Sequence, residues 1–473
     1  MRPDPADPDA FRRDAHRLVD WMADYLAGVS KRPVWAQVEP GDIRAALPSE
    51  PPEHPEPFDA VLTDLDDLVM PGVTHWQHPS WFAYFPSNTS PPAILAEMVA
   101  AVLGQQGMLW KTGPAVTEVE SHVLDWMVDL LGLPATWRVD SGVGGGVIQA
   151  SASDATHAAL VAARRRAAQE RGASLVDCVA YVSAQAHSSV DKGANVAGYG
   201  HVRLIDVGDD QEQRPDALRQ AIEADLAAGL VPTFVCSAVG TTGTGAVDPV
   251  RAIGEIAREW GLWHHVDAAW AGPFMMCEEL RLHQDGLELV DSYVANAHKV
   301  MFTGMECTLF WVADRRPLLD AMSILPPYLR NEATESGSVV DYRDWHVALG
   351  RRFRALKLWF VLRMFGAHGI RDRLREYIRL ATELSDRVDR HPSLERVAPT
   401  SFPLVSFRHT AGDDATRAMI AGIETAPDVA VTPSELGGRP FLRISIGQLT
   451  TTEQHVDHLW QLIRDQAASA APD

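Results

Sequence analysis

The chain has 473 residues, 46% of them hydrophobic, which allows more than one domain and a large core. Its 63 acidic residues against 42 basic ones leave a formal charge of -21, which disfavours nucleic acid or an anionic membrane as a partner. No apolar run approaches membrane-spanning length and the N-terminus lacks a signal-peptide core, so a cytoplasmic protein is expected.

From Phe11 to Val29 the apolar residues Leu18, Met22, Tyr25, Leu26 and Val29 share one helical face, and the proline-rich stretch Glu50 to Pro57 then breaks the chain. Residues 1–89 therefore read as a helical arm and linker whose apolar surface needs a partner. Residues 90–354 alternate between strand-like and helix-like segments. Strands are predicted at Cys178 to Val182, Val202 to Val207, Thr233 to Val239, Leu262 to Asp267, Ser292 to Ala295 and Thr308 to Val312, with a helix at Val250 to Trp260. Such alternation predicts an α/β domain with a mainly parallel sheet covered on both faces. Ligands in such sheets lie beyond the carboxyl ends of strands, where Thr241, Asp267 and Lys299 fall. Residues 355–473 open with an apolar helix and carry strand-like Leu404 to Phe407 and Phe441 to Ile446, which predicts a small α+β domain. The cysteines Cys178, Cys236, Cys277 and Cys307 lack metal-ligand spacing, so buried free thiols are expected, with neither disulfide nor metal.

One lysine and one aspartate each follow a strand-like stretch, in Asn296-Ala-His-Lys299 and His265-Val-Asp-Ala-Ala-Trp270. A lysine amine can hold an aldehyde cofactor as a Schiff base, and an aspartate at a neighbouring strand end can keep a pyridine nitrogen protonated. The pair points to pyridoxal 5'-phosphate. Either half alone reads as a solvated turn or a helix cap. A third feature supports the pair: Ser151-Ala-Ser-Asp154 precedes the alanine-rich stretch Ala155 to Ala168. Hydroxyls and free backbone N–H groups at a helix N-terminus favour a phosphate. Glycines 144–146 are read as a loop able to approach that phosphate closely. They fit neither a dinucleotide fingerprint nor a P-loop.

Beyond these residues, Gly72-Val-Thr-His-Trp76, Trp81-Phe-Ala-Tyr-Phe-Pro86, Gly144-Gly-Gly-Val-Ile-Gln-Ala-Ser-Ala-Ser153, Gln185-Ala-His-Ser-Ser-Val190 and Gly350-Arg-Arg-Phe-Arg-Ala-Leu-Lys357 resemble the group II pyridoxal-phosphate decarboxylases. The likeness is strongest to the aromatic L-amino acid decarboxylases and runs from about Phe11 to the last helix. It implies the fold type I architecture of the aspartate aminotransferase kind, and a homodimer with active sites at the subunit interface and the arm packed on the second subunit. It implies that Ala152, Ser153, Asn296 and His298 hold the phosphate, that His187 stacks on the ring, and that Thr241 lies near the ring oxygen or the substrate, with Thr242 as its substitute. Ala269 and Gly350 complete the implied cofactor set.

The resemblance also makes Asp267 the partner of the ring nitrogen. It places Tyr328, in Leu325-Pro-Pro-Tyr-Leu329, as the proton donor to the substrate carbanion. Trp76, Tyr84, Phe85 and Pro86 match its side-chain pocket, completed from the neighbouring subunit at Gln106 and Met108. Gly350 lacks a side chain where some phenol-preferring relatives carry serine. Trp270, Val300 and Gly304-Met-Glu-Cys307 depart from the common pattern at the periphery of the active site and leave the accepted side chain open.

The expected reaction is decarboxylation of tryptophan, dihydroxyphenylalanine, tyrosine or phenylalanine to the amine and carbon dioxide. Two other reactions fit the same site: decarboxylation of glutamate or diamino acids, and oxidative decarboxylation-deamination to an aldehyde. Tyr328 and His187 both favour the amine. A non-catalytic scaffold would lack Lys299 or Asp267, and both are present.

Overall fold

The computed structural model describes residues 6–323 and 339–470. Its larger sheet contains β1 (Gly145–Gln149), β2 (Cys178–Ser183), β3 (His201–Ile205), β4 (Val231–Ala238), β5 (Trp263–Asp267), β6 (Ser292–Asn296) and β7 (Thr308–Val312). They lie in the order β1-β7-β6-β5-β4-β2-β3. The pairs from β3 through β6 are parallel, and β7 runs antiparallel to both β1 and β6. The fold is the type I architecture expected from the sequence.

Strict alternation buries both faces of this sheet. Ile148, Tyr293, Leu309 and Trp311 join one apolar cluster, while their neighbours Val147, Val294, Phe310 and Val312 join another. Helix Ala152–Arg171 covers the second face with a row of small alanines, which allows close approach. Helix Val250–Trp260 buries Val250, Ile253, Ile256 and Ala257, a spacing that confines its apolar residues to one stripe.

One sequence expectation needs correction. Glycines 145 and 146 do not form a phosphate loop: they are the first residues of β1, paired with Val312 and Trp311. A Cβ at Gly145 would come within 2.5 Å of the Trp345 ring, and one at Gly146 within 2.6 Å of the Trp311 ring. Their missing side chains make room for two buried indoles, not for an anion.

The C-terminal part begins with helix Ala355–Asp389 and carries an antiparallel sheet of β8 (Leu394–Arg396), β9 (Leu404–His409), β10 (Thr432–Leu436) and β11 (Arg439–Ser445), in the order β10-β11-β9-β8. Helix Asp413–Glu424 packs on it, and helix Glu453–Ser469 packs on that helix and on Ala355–Asp389. One apolar cluster runs from Phe82 through both sheets to Ala467, so this sheet is docked on the larger one through a shared core. At the other end, helix Pro8–Gly28 starts at an Asp7 N-cap, and Tyr25 ties it to His75 by a 3.0 Å hydrogen bond.

Candidate active site

Asp267 is the last residue of β5, Lys299 lies just past β6, and Thr241 lies just past β4. Parallel strands bring these carboxyl ends to one edge. They line a cavity of about 200 Å³ together with Phe85, Ser151, Ala152, Ser153, His187, Thr242, Ala269, Trp270, Asn296 and His298. Most residues singled out in the sequence therefore converge on one volume.

Burial lowers the pKa of Lys299, Asp267 opposes the shift and Arg443 adds to it, leaving a value of about 8. An amine poised there is neutral for a useful fraction of the time near neutral pH, as attack on an aldehyde requires. One oxygen of Asp267 accepts the Ala269 N–H at 3.0 Å, which fixes the carboxylate at the cavity edge. His298 is 5% exposed, and burial lowers its pKa to about 4, so the ring is neutral. Asn296 is held by the Thr308 hydroxyl, which donates to its Oδ1 at 2.7 Å.

At the helix N-terminus the two serines divide their work. Ser151 is the N-cap: its Oγ accepts the Asp154 N–H at 3.1 Å and donates to the Asp154 carboxylate at 2.9 Å. Ala152 and Ser153, the first residues after the cap, line the cavity at the helix N-terminus, where an anion gains from the helix dipole. His187 is a further lining residue. Its Nδ1 accepts the Ser189 N–H at 3.1 Å, which leaves the ring proton on Nε2 in the neutral form. The Thr241 hydroxyl is committed to its own turn, accepting the Ala246 N–H at 3.0 Å and lying 3.0 Å from Thr244 Oγ1. Thr242 lines the same cavity.

The aromatic residues split. Tyr84 adopts a left-handed backbone with φ 51, so that it stays exposed while the next residue, Phe85, lines the cavity. Trp76 packs on Trp81 at 4.2 Å and on Tyr84 at 5.8 Å, and Pro86 is buried against Gly447. Trp270, expected only at the periphery, is part of the wall itself: its ring stacks on Phe85 at 4.5 Å. Gln106, Met108 and Gly350 lie apart from this cavity. Gln106 Oε1 accepts the Arg351 N–H at 2.7 Å, the Met108 carbonyl accepts the Arg343 N–H at 3.1 Å, and Gly350 borders a separate cavity with Asp154, His157 and His346. Beneath them Glu120 and Arg351, both fully buried, form an ion pair. Tyr328 lies outside the described residues.

Sequence reasoning missed Arg443. It sits in β11, 5% exposed, with its guanidinium 4.7 Å from the Phe85 ring centroid, the same distance as Lys299 Nζ. Its Nε and Nη2 have no hydrogen-bond partner among the described residues, and burial pushes its pKa down to about 10. The signal was available: a lone arginine inside Phe441-Leu-Arg-Ile-Ser-Ile446 carries a charge that an apolar strand cannot solvate.

The donor set fits a pyridoxal phosphate: an amine of lowered pKa, a carboxylate at the next strand end, an anion-ready helix N-terminus and an orphaned buried guanidinium. Comparison with known proteins agrees. Residues 40–410 match the pyridoxal-dependent decarboxylase conserved domain. The chain is 42% identical to a phenylacetaldehyde synthase of Arabidopsis thaliana, over 98% of this chain and 97% of that one. It is 40% identical to tryptophan decarboxylase 2 of Oryza sativa, over 98% and 95%. The solved Catharanthus roseus tryptophan decarboxylase in complex with L-tryptophan superposes with a TM-score of 0.94 at 37% identity, covering 99% of this chain and all of that one. The chain belongs to the pyridoxal-dependent decarboxylase family.

Proposed function

We propose that this decarboxylase removes the carboxylate of an aromatic L-amino acid and releases the arylalkylamine and carbon dioxide. The observation that carries the reading is the cavity in which Lys299 and Asp267 flank the space below a helix N-terminus, with Phe85 and Trp270 as its apolar wall. The aromatic names among the similar proteins support the same substrate class. When bound, the cofactor supplies an aldehyde for a lysine amine and a pyridine ring that accepts the electron pair released with carbon dioxide.

The chain's own residues hold and orient. Lys299 would offer its amine to the cofactor, and Asp267 would keep a proton on the ring nitrogen. Ala152, Ser153, Asn296 and His298 would hold the phosphate, while Ala269 and Thr241 would close the edge. Arg443 attracts the substrate carboxylate into a cavity otherwise poor in counter-charge for it. His187 would cover the ring face and exclude water, and Tyr328 would deliver the proton to Cα. Trp76, Tyr84 and Pro86 extend the aromatic wall outward from Phe85.

The working unit is a cytoplasmic homodimer in which Gln106, Met108 and Gly350 face the site of the second subunit. Supporting this, the arm leaves Phe11 58% exposed and the neighbouring helix Pro91–Leu103 leaves Val102 73% exposed, an apolar face that needs cover. Among the described residues no helix is long and apolar enough to cross a membrane. The division into arm (1–89), cofactor domain (90–354) and small domain (355–473) belongs to the same reading.

A second reading is oxidative: the similarity to a phenylacetaldehyde synthase favours testing for an aldehyde product. Cofactor-loaded protein incubated in air with separate aromatic, acidic and diamino L-amino acids distinguishes the outcomes by mass spectrometry. Amine from an aromatic substrate without peroxide is expected. Aldehyde with hydrogen peroxide and ammonia, or turnover only of glutamate or diamino acids, refutes the leading reading.

A further inference from the structure

Asn88 is fully buried and no part of the cavity lining, yet every polar group it owns is used to join three separate segments. Its Nδ2 donates to the Lys299 carbonyl at 2.8 Å and to the Gly447 carbonyl at 2.5 Å. Its Oδ1 accepts the Leu449 N–H at 2.9 Å. Its own N–H donates to the His298 carbonyl at 3.1 Å, and its carbonyl accepts the Gly304 N–H at 2.7 Å. Two carbonyls and one N–H around the amide leave a single orientation in which all are satisfied. Lys299 belongs to the turn after β6. Gly447 follows β11, the strand that carries Arg443. Asn88 itself follows Phe85 and Pro86, so one amide ties the lysine turn, the arginine strand and the aromatic wall.

We infer that Asn88 is a positioning residue that sets the spacing between Lys299 and Arg443, the two cations gathered on the Phe85 ring. A second contact supports the same spacing from the other side. Gly447 packs so tightly on the wall that a Cβ there would meet Pro86 Cγ at 2.8 Å and Val300 at 3.4 Å. The reason for such control is chemical. The amino acid must be held by its nitrogen at the lysine end and by its carboxylate at the arginine end, and the distance between these groups in the substrate is short and invariant. The inference rests on the reading of Lys299 and Arg443 given above.

The test uses the cofactor-loaded protein and reads the pH midpoint of its visible absorption band, which follows the proton at the Lys299 nitrogen. Among the described residues the ionisable neighbours of that nitrogen are Asp267, Arg443 and His298. Asn88→Ser is neutral and too short to span both carbonyls, so Arg443 relaxes away and the midpoint rises by about 0.5 or more. Gly447→Ala, which pushes the same strand end off Pro86, raises it too and decides the matter should Asn88→Ser fail to fold. Ser90→Ala removes a comparable bond to the lysine turn, the Ser90 hydroxyl to the Phe302 carbonyl at 2.8 Å, without reaching β11. Its midpoint stays at the wild-type value. An unchanged or lowered midpoint in both Asn88→Ser and Gly447→Ala overturns the inference and leaves Asn88 a purely structural residue. A wild-type protein without a visible band would instead defeat the proposed function.

Discussion

Replacing Arg443 by methionine separates function from stability, because the two move in opposite directions. The guanidinium is 5% exposed and its Nε and Nη2 lack partners among the described residues. Burial moves its pKa from the ordinary arginine value down to about 10. Because the folded state holds this proton less tightly than the unfolded chain, the cost of ~3 kcal/mol is fully present below pH 10. It fades only as pH rises from there toward the unfolded value. Methionine retains the apolar stem over Phe85 and discards the charge, so the cofactor-free protein gains on the order of 1–3 kcal/mol at pH 7. Losing a charge-assisted hydrogen bond to the substrate carboxylate costs ~1.5–3 kcal/mol, a fall of roughly 10- to 150-fold in kcat/KM. Thermal or urea denaturation of the cofactor-free form, paired with steady-state carbon dioxide release, measures both. A less stable Arg443→Met with unchanged kcat/KM would refute the argument, since the guanidinium would then be satisfied structurally and irrelevant to the carboxylate.

Lys299→Ala abolishes both the visible absorbance of the cofactor-loaded protein and turnover; either surviving would show that the cofactor is held elsewhere. In wild type, the rate of cofactor attachment at Lys299 rises with pH and levels off above about 8, where its amine is deprotonated, as stopped-flow absorbance can follow. Tyr328→Phe keeps the absorbance and shifts product toward aldehyde with peroxide; a full amine yield would remove Tyr328 as the proton donor. Glu120→Ala strands the buried Arg351 guanidinium and the Ile148 N–H that the carboxylate accepts at 2.8 Å, so urea unfolding should show a loss of ~3–5 kcal/mol. The double change with Arg351→Met recovers most of that loss, and failure to recover would mean that the pair is not the cause.

The large sheet was legible because its strands are short apolar runs rich in valine and aromatic residues, and both faces had to be buried. Cys178–Ser183, Thr308–Val312 and helix Val250–Trp260 stand within a residue of where the pattern places them. Gly145–Gln149 was not legible as a strand, since glycine carries no period. Only the indoles of Trp311 and Trp345, distant in sequence, explain why those positions are empty. The role of Ser151 was likewise undecidable from its neighbours, because an N-cap and a phosphate ligand use the same hydroxyl.

By itself the sequence determined the chemistry: a lysine and an aspartate at neighbouring strand ends, a serine turn opening a helix, and the motifs that identify the family. These are local features, set by which residues follow a strand. The tertiary structure alone decided what surrounds the amine. Arg443 reaches Phe85 from β11, Trp270 enters the wall instead of the periphery, and Asn88 bridges Lys299 to Gly447. Each joins segments far apart along the chain, and only the packing of those segments on one another brings their rings, charges and hydrogen bonds within reach.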